Sequence, residues 1–117
     1  YTIQGGVKGL EKLVADNPDM TAVFVTNYEM TMGAVIGVNE LALKIPEQLS
    51  MIGFDNLQFA RACNPKLTIV AQPTPGIARE VAGIMLKRLE EGDAGNTERI
   101  AEKLDAEIIM GKSVRAI

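Results

Sequence analysis

Residues 21–27 read Thr-Ala-Val-Phe-Val-Thr-Asn, and residues 50–56 read Ser-Met-Ile-Gly-Phe-Asp-Asn. Each is a short apolar run closed by polar side chains. The run from Thr21 to Thr26 is nearly unbroken and rich in β-branched residues, which suits a strand buried on both faces. Residues 67–72, Leu-Thr-Ile-Val-Ala-Gln, repeat the arrangement. Three such runs separated by helix-like segments predict an α/β layered fold with a largely parallel sheet. An antiparallel sandwich would alternate apolar and polar positions more strictly.

The segments between the runs carry helical spacing. Ile3, Val7, Leu10 and Val14 recur with Lys8, Glu11 and Lys12 between them, so an amphipathic helix should end at Asp16-Asn17-Pro18. From Glu29 to Leu43 the chain is apolar almost all round (Met30, Ala34, Val35, Val38, Leu41), as in a helix covered on more than one side. Pro46 breaks that pattern, and Asn56 to Ala62 should form a short helical turn before Pro65. Pro73 and Pro75 stop the third run and hand over to another helix. Its buried face should hold Ile77, Val81, Ile84, Met85 and Leu89, with Arg79, Glu80, Lys87 and Arg88 toward water. Residues 91–96 are a loop by composition. Ile100, Leu104, Ile108 and Met110 then predict a further strand.

Composition narrows the function. The 117 residues suffice for one domain, with 47% hydrophobic and 23% charged residues, the balance of an ordinary soluble domain. No apolar run approaches the roughly 20 residues that span a bilayer. The opening YTIQGG lacks the features of a signal peptide. Starting without Met and close to a helix, it leads us to expect further sequence upstream. The net charge is −3, and Lys87-Arg88 is followed by Glu90-Glu91, a solvated helix end. Without a basic stripe, this segment alone should not bind DNA.

With one cysteine, Cys63, and no histidine, there can be no internal disulfide, no Cys/His zinc cluster and no His-dependent nucleophile. A reducing, cytoplasmic compartment fits this usage, and no metal or cofactor is expected. Cys63 reads as a small buried hydrophobe and the six methionines as core. Gly5-Gly6 and Gly33 with Gly37 match no phosphate-binding loop.

Ligands of open parallel sheets bind outside the carboxyl ends of the strands. The polar residues that follow the three runs are Asn27, Asp55 and Gln72. A carboxylate beside two amides can hydrogen-bond several neighbouring hydroxyls, as in sugar or polyol binding. The structural alternative stands beside this: Asn27 and Asp55 could cap the helices they precede, and Gln72 could simply be solvated.

At Val25-Thr-Asn-Tyr-Glu-Met-Thr-Met-Gly33 the chain resembles the strand–Asn-Asp-x-Met-Ala-x-Gly–helix motif of the lac/galactose repressor family. Residues 45–56, Ile-Pro-Glu-Gln-Leu-Ser-Met-Ile-Gly-Phe-Asp-Asn, and 65–73, Pro-Lys-Leu-Thr-Ile-Val-Ala-Gln-Pro, are similar to two further motifs of that family in the same order and spacing. The resemblance runs from about Tyr1 to Ser113. It implies a lobe of a two-lobed, type I periplasmic-binding-protein-like fold with the effector between lobes. Residues 1–117 would be the carboxyl-terminal lobe, with 75–91 a helix that in the family belongs to the other lobe. The DNA-binding helix-turn-helix and most of the amino-terminal lobe would lie outside this chain. Asn27, Asp55 and Gln72 match effector-contacting positions.

The resemblance further implies a homodimer whose interface in this segment includes Met32 and Cys63, with Phe59 nearby; the alternative is that they are ordinary core. Operator DNA would be met only through the missing headpiece. The string from Thr26 to Thr31 is similar to ribose-type repressors, which makes a pentose the natural effector. There are departures. Tyr28 replaces an Asp, affecting either the cleft edge or the helix start. Thr31 replaces an Ala, and Lys112 precedes Ser113 where an Arg is common.

The expected function is therefore sugar sensing by a transcriptional repressor. A transport-type sugar receptor on the same fold is the alternative. A small α/β enzyme would need a nucleophile or general base in a cleft, for which only Asp55 and Tyr28 are placed, and no enzymatic activity is expected.

Overall fold

The computed structural model describes residues 1–91 and 99–117; of the loop read at 91–96, Gly92–Asn96 lie outside the described residues. The elements in chain order are helix α1 (Ile3–Asp16), strand β1 (Ala22–Phe24), helix α2 (Tyr28–Glu40), strand β2 (Ser50–Phe54), helix α3 (Leu57–Ala62), strand β3 (Thr68–Ala71), helix α4 (Thr74–Glu91) and strand β4 (Glu107–Ile109). They divide into two compact units, Tyr1–Ala71 with Ile108–Ile117, and Gln72–Glu107.

In the first unit, α1 begins where the Thr2 hydroxyl accepts from the Gly5 amide at 2.9 Å. It ends where the Asn17 amide and side chain both donate to the Leu13 carbonyl, and Pro18 cannot extend it. Gly6, Val7 and Leu10 form its buried side. The glycines allow α1 and α2 to touch backbone to backbone: a Cβ on Gly33 would lie 2.0 Å from the Ile3 carbonyl oxygen, and one on Gly6 2.4 Å from that of Met30. Gly6 and Gly33, which form no phosphate loop, thus serve a close helix crossing. Helix α2 packs on α1 and on β2, so two sides are covered, and it stops short of Leu43 at Glu40.

The sheet order is β1-β2-β3-β4. β1 pairs with β2 and β2 with β3, both parallel. Met51 in β2 and Ile69 in β3 are each only 1% exposed and anchor the core together with Leu10, Val38 and Leu67. β1 departs from the expectation of burial on both faces. It lies at the end of the sheet order, paired with β2 alone, and Phe24 is 52% exposed. The buried apolar residue of that run is Val25, just past the strand.

Ser113 is fully buried and ties two strands: its hydroxyl accepts from the Thr68 amide at 2.9 Å and donates to the Met51 carbonyl. The Lys112 amide donates to the Lys66 carbonyl at 2.7 Å. Here the backbone of residue 112 and the Ser113 side chain hold the carboxyl-terminal segment.

The second unit is dominated by α4, and it corrects another expectation. None of its residues is buried; Val81, Met85 and Leu89 are exposed, and Ile77 and Ile84 only half-covered. Among the described residues of this unit α4 is the one helix, so no second helix packs on its apolar stripe. Met85 and Met110 are likewise exposed, so only part of the methionine set serves the core. The strand expected around Ile100 to Met110 is three residues long, with Ile100 and Leu104 outside it. No helix among the described residues is long and apolar enough to cross a membrane.

Candidate functional site

Parallel register sets the first two candidates level. Phe24 and Ile52 are partners across β1 and β2, and Asn27 and Asp55 each follow three residues later. The Val25 amide donates to Ile52, and the Asp55 amide to Val70, both at 2.9 Å. Adjacent strands run about 5 Å apart, so both half-buried residues emerge on one carboxyl rim.

Asn27 does cap α2. Its Oδ1 accepts from the Met30 amide at 3.1 Å, and its carbonyl from the Thr31 amide at 2.9 Å. Capping uses only the oxygen. The side chain also carries two N–H donors on Nδ2, which the cap does not use.

At Asp55 the capping alternative fails, because the cap of α3 is Asn56: its side chain accepts from the Phe59 amide at 2.9 Å. Asp55 and Asn56 both have positive φ, 60° and 53°. Asp and Asn enter the left-handed region more readily than other side-chain-bearing residues, but two in succession are uncommon. The turn is fixed from both sides by the Asp55 amide on Val70 and by the Asn56 cap. Strained backbone held this way gathers at functional sites.

Tyr28 is the first residue of α2, and its ring meets Phe59 of α3 edge-on, with centroids 6.1 Å apart and planes at 73°. It therefore stands at the helix start and beside the rim. Thr31, 1% exposed, was not singled out as a site residue from sequence. Its hydroxyl donates to the Asn27 carbonyl at 2.7 Å and accepts from the Phe54 amide at 3.3 Å. The only sequence signal for it was Thr in place of the family's Ala.

Gln72 follows the last residue of β3 but belongs to the second unit, where it is exposed and its carbonyl accepts from the Thr74 amide at 2.8 Å. The first unit thus brings Asn27, Tyr28 and Asp55 together without Gln72. One carboxylate, one amide and one phenol supply hydrogen-bond acceptors and donors there, with no histidine in the chain.

Met32, Phe59 and Cys63 are half-buried. Phe59 and Cys63 line an apolar cleft of about 450 Å³ with Val35, Val38, Ile45 and Leu67, and Met32 is not part of that lining. Burial pushes the Cys63 thiol above its ordinary range.

Residues 1–114 match the periplasmic binding protein-like domain. The chain is 35% identical over its whole length to the transcriptional repressor CytR of Escherichia coli K12, covering 33% of that protein. It is 30% identical to the repressor PurR of Haemophilus influenzae PittEE, with 97% of this chain and 34% of that protein aligned. It thus spans about a third of the length of these curated relatives. A LacI-family regulator from Enterococcus faecium, solved with bound ribose, superposes with a TM-score of 0.81 at 29% identity, covering 97% of this chain and 41% of that one. The chain belongs to the periplasmic binding protein-like domain family.

Proposed function

We propose that this chain is the carboxyl-terminal lobe of the effector-sensing domain of a cytoplasmic transcriptional repressor. A sugar, with a pentose first in line, is held by Asn27, Asp55 and Gln72, with Tyr28 at the edge. The observation that carries this reading is the level placement of Asn27 and Asp55 at the carboxyl rim of parallel strands, one capping with its oxygen alone and the other on a left-handed turn. The ribose in the Enterococcus faecium regulator supports a pentose. CytR and PurR, both repressors, support regulation over the transport-receptor alternative.

On this reading residues 75–91 belong to the other lobe. The sugar bridges the lobes and shifts the population between two lobe orientations. A near-complete shift requires the ligand to prefer one orientation by about 5 kcal/mol. Operator contact is made by a headpiece outside this chain, in a homodimer that uses Met32, Phe59 and Cys63.

The test is calorimetric titration of the protein that carries this chain with D-ribose and a panel of other pentoses and hexoses, followed by hydrogen exchange. Binding that slows exchange at residues 27–31 and 54–57 is the expected result. Sugar binding that leaves both segments unprotected, or no binding across the panel, would overturn the assignment.

A further inference from the structure

The two rim residues belong to different strands, and a binding rim is only as sharp as the spacing between them. Parallel register sets them level, and one buried hydroxyl links their two segments beneath the rim. Thr31 Oγ1 donates to the carbonyl of Asn27 at 2.7 Å and accepts from the amide of Phe54 at 3.3 Å, one residue before Asp55. A single oxygen thus joins the residue that carries the amide to the residue preceding the carboxylate. Thr31 is 1% exposed, so water does not compete for these bonds.

The fit around Thr31 is equally specific. A Cβ on Gly53 would lie 2.5 Å from the Thr31 methyl carbon, so β2 carries glycine where the threonine side chain presses on it. The methyl group meets β2 at Gly53, and the hydroxyl bonds the segments on either side.

We infer that Thr31 is a positioning residue, whose hydroxyl holds Asn27 and Asp55 at the separation a bound sugar requires. The inference rests on the sugar-binding reading above and assigns that site's geometry to a residue that does not touch the ligand. Alanine at this position would leave the Phe54 amide without the hydroxyl, and the rim would hold its spacing less strictly.

The test compares Thr31→Val, which keeps the branched shape and loses the hydroxyl, with Thr31→Ser, which keeps the hydroxyl and loses the methyl. Each is measured in the protein that carries this chain by thermal unfolding, by amide exchange at Phe54 and Asp55 without ligand, and by D-ribose titration. The expected result is a crossing. Thr31→Val speeds exchange at both amides and weakens ribose binding about 10-fold, the scale of one lost hydrogen bond. Thr31→Ser stays within about 2-fold of the parent in affinity despite the cavity it opens. A purely structural threonine would make exchange and affinity follow the loss of thermal stability, whichever variant suffers it more. That pattern, or unchanged exchange in Thr31→Val, overturns the inference. If the parent protein binds no ribose, the pentose assignment falls, and exchange at Asp55 decides the positioning claim by itself.

Discussion

Asn27 and Asp55 stand at the same level of the sheet, each three residues beyond the register partners Phe24 and Ile52. Their local roles differ. Asn27 spends its side-chain oxygen on the first turn of α2, whereas the α3 cap next to Asp55 is supplied by Asn56.

This division lets stability and binding be separated at position 27. Asn27→Ala removes the cap and should cost about 1 kcal/mol. Asn27→Asp keeps an acceptor at a helix start, where negative charge is favourable, so urea denaturation should match the parent. It also replaces the Nδ2 donors with an acceptor, so sugar affinity should fall. An Asn27→Asp variant with parental affinity would reduce Asn27 to a cap.

The left-handed backbone at Asp55 gives a second test. Glycine adopts φ near 60° at no steric cost, whereas a β-branched residue is strongly disfavoured there. Asp55→Val should therefore be less stable than Asp55→Gly by about 1–2 kcal/mol in equilibrium denaturation. Equal stabilities would mean that the turn is not strained.

Two glycines in the first unit should respond in opposite directions to alanine. At Gly33 the new methyl would meet the Ile3 carbonyl at 2.0 Å, so the helices must part, and a loss of about 1–3 kcal/mol is expected. At Gly9, within α1, nothing lies within 4 Å. Gly9→Ala should gain about 0.5–1 kcal/mol from helix propensity. Thermal unfolding of the pair reads both.

Cys63 should react slowly. Burial raises its thiol, which lowers the thiolate fraction at neutral pH, and the thiolate is the nucleophile. Alkylation of the folded protein by iodoacetamide should lag behind the denatured chain at neutral pH, and its rate should level off at a higher pH than the denatured chain's. Equal rates at neutral pH would contradict the burial of the sulfur.

The strands and their polar ends were legible because a buried parallel strand is an unbroken apolar run, and the residue after it is read by counting. Counting could not assign the cap of α3, since Asp55 and Asn56 are equally good candidates until φ places the cap at Asn56. Neither could it show that Phe24 is half exposed, which follows from the place of β1 at the end of the sheet order. On α4, helical spacing identified an apolar stripe but could not say whether a second layer covers it. Thr31 was visible only as a departure from a motif. One of its hydrogen bonds is a local turn contact to Asn27, but the other joins residues 23 apart, from Thr31 to Phe54, and no local pattern encodes that.

The most direct measurement is D-ribose affinity of Asp55→Ala in the protein that carries this chain, with thermal unfolding alongside. Loss of a hydrogen-bonding carboxylate should weaken binding by about 10- to 100-fold, or about 1.5–3 kcal/mol, while cooperative unfolding persists. A folded Asp55→Ala protein that binds ribose as tightly as its parent would contradict the account.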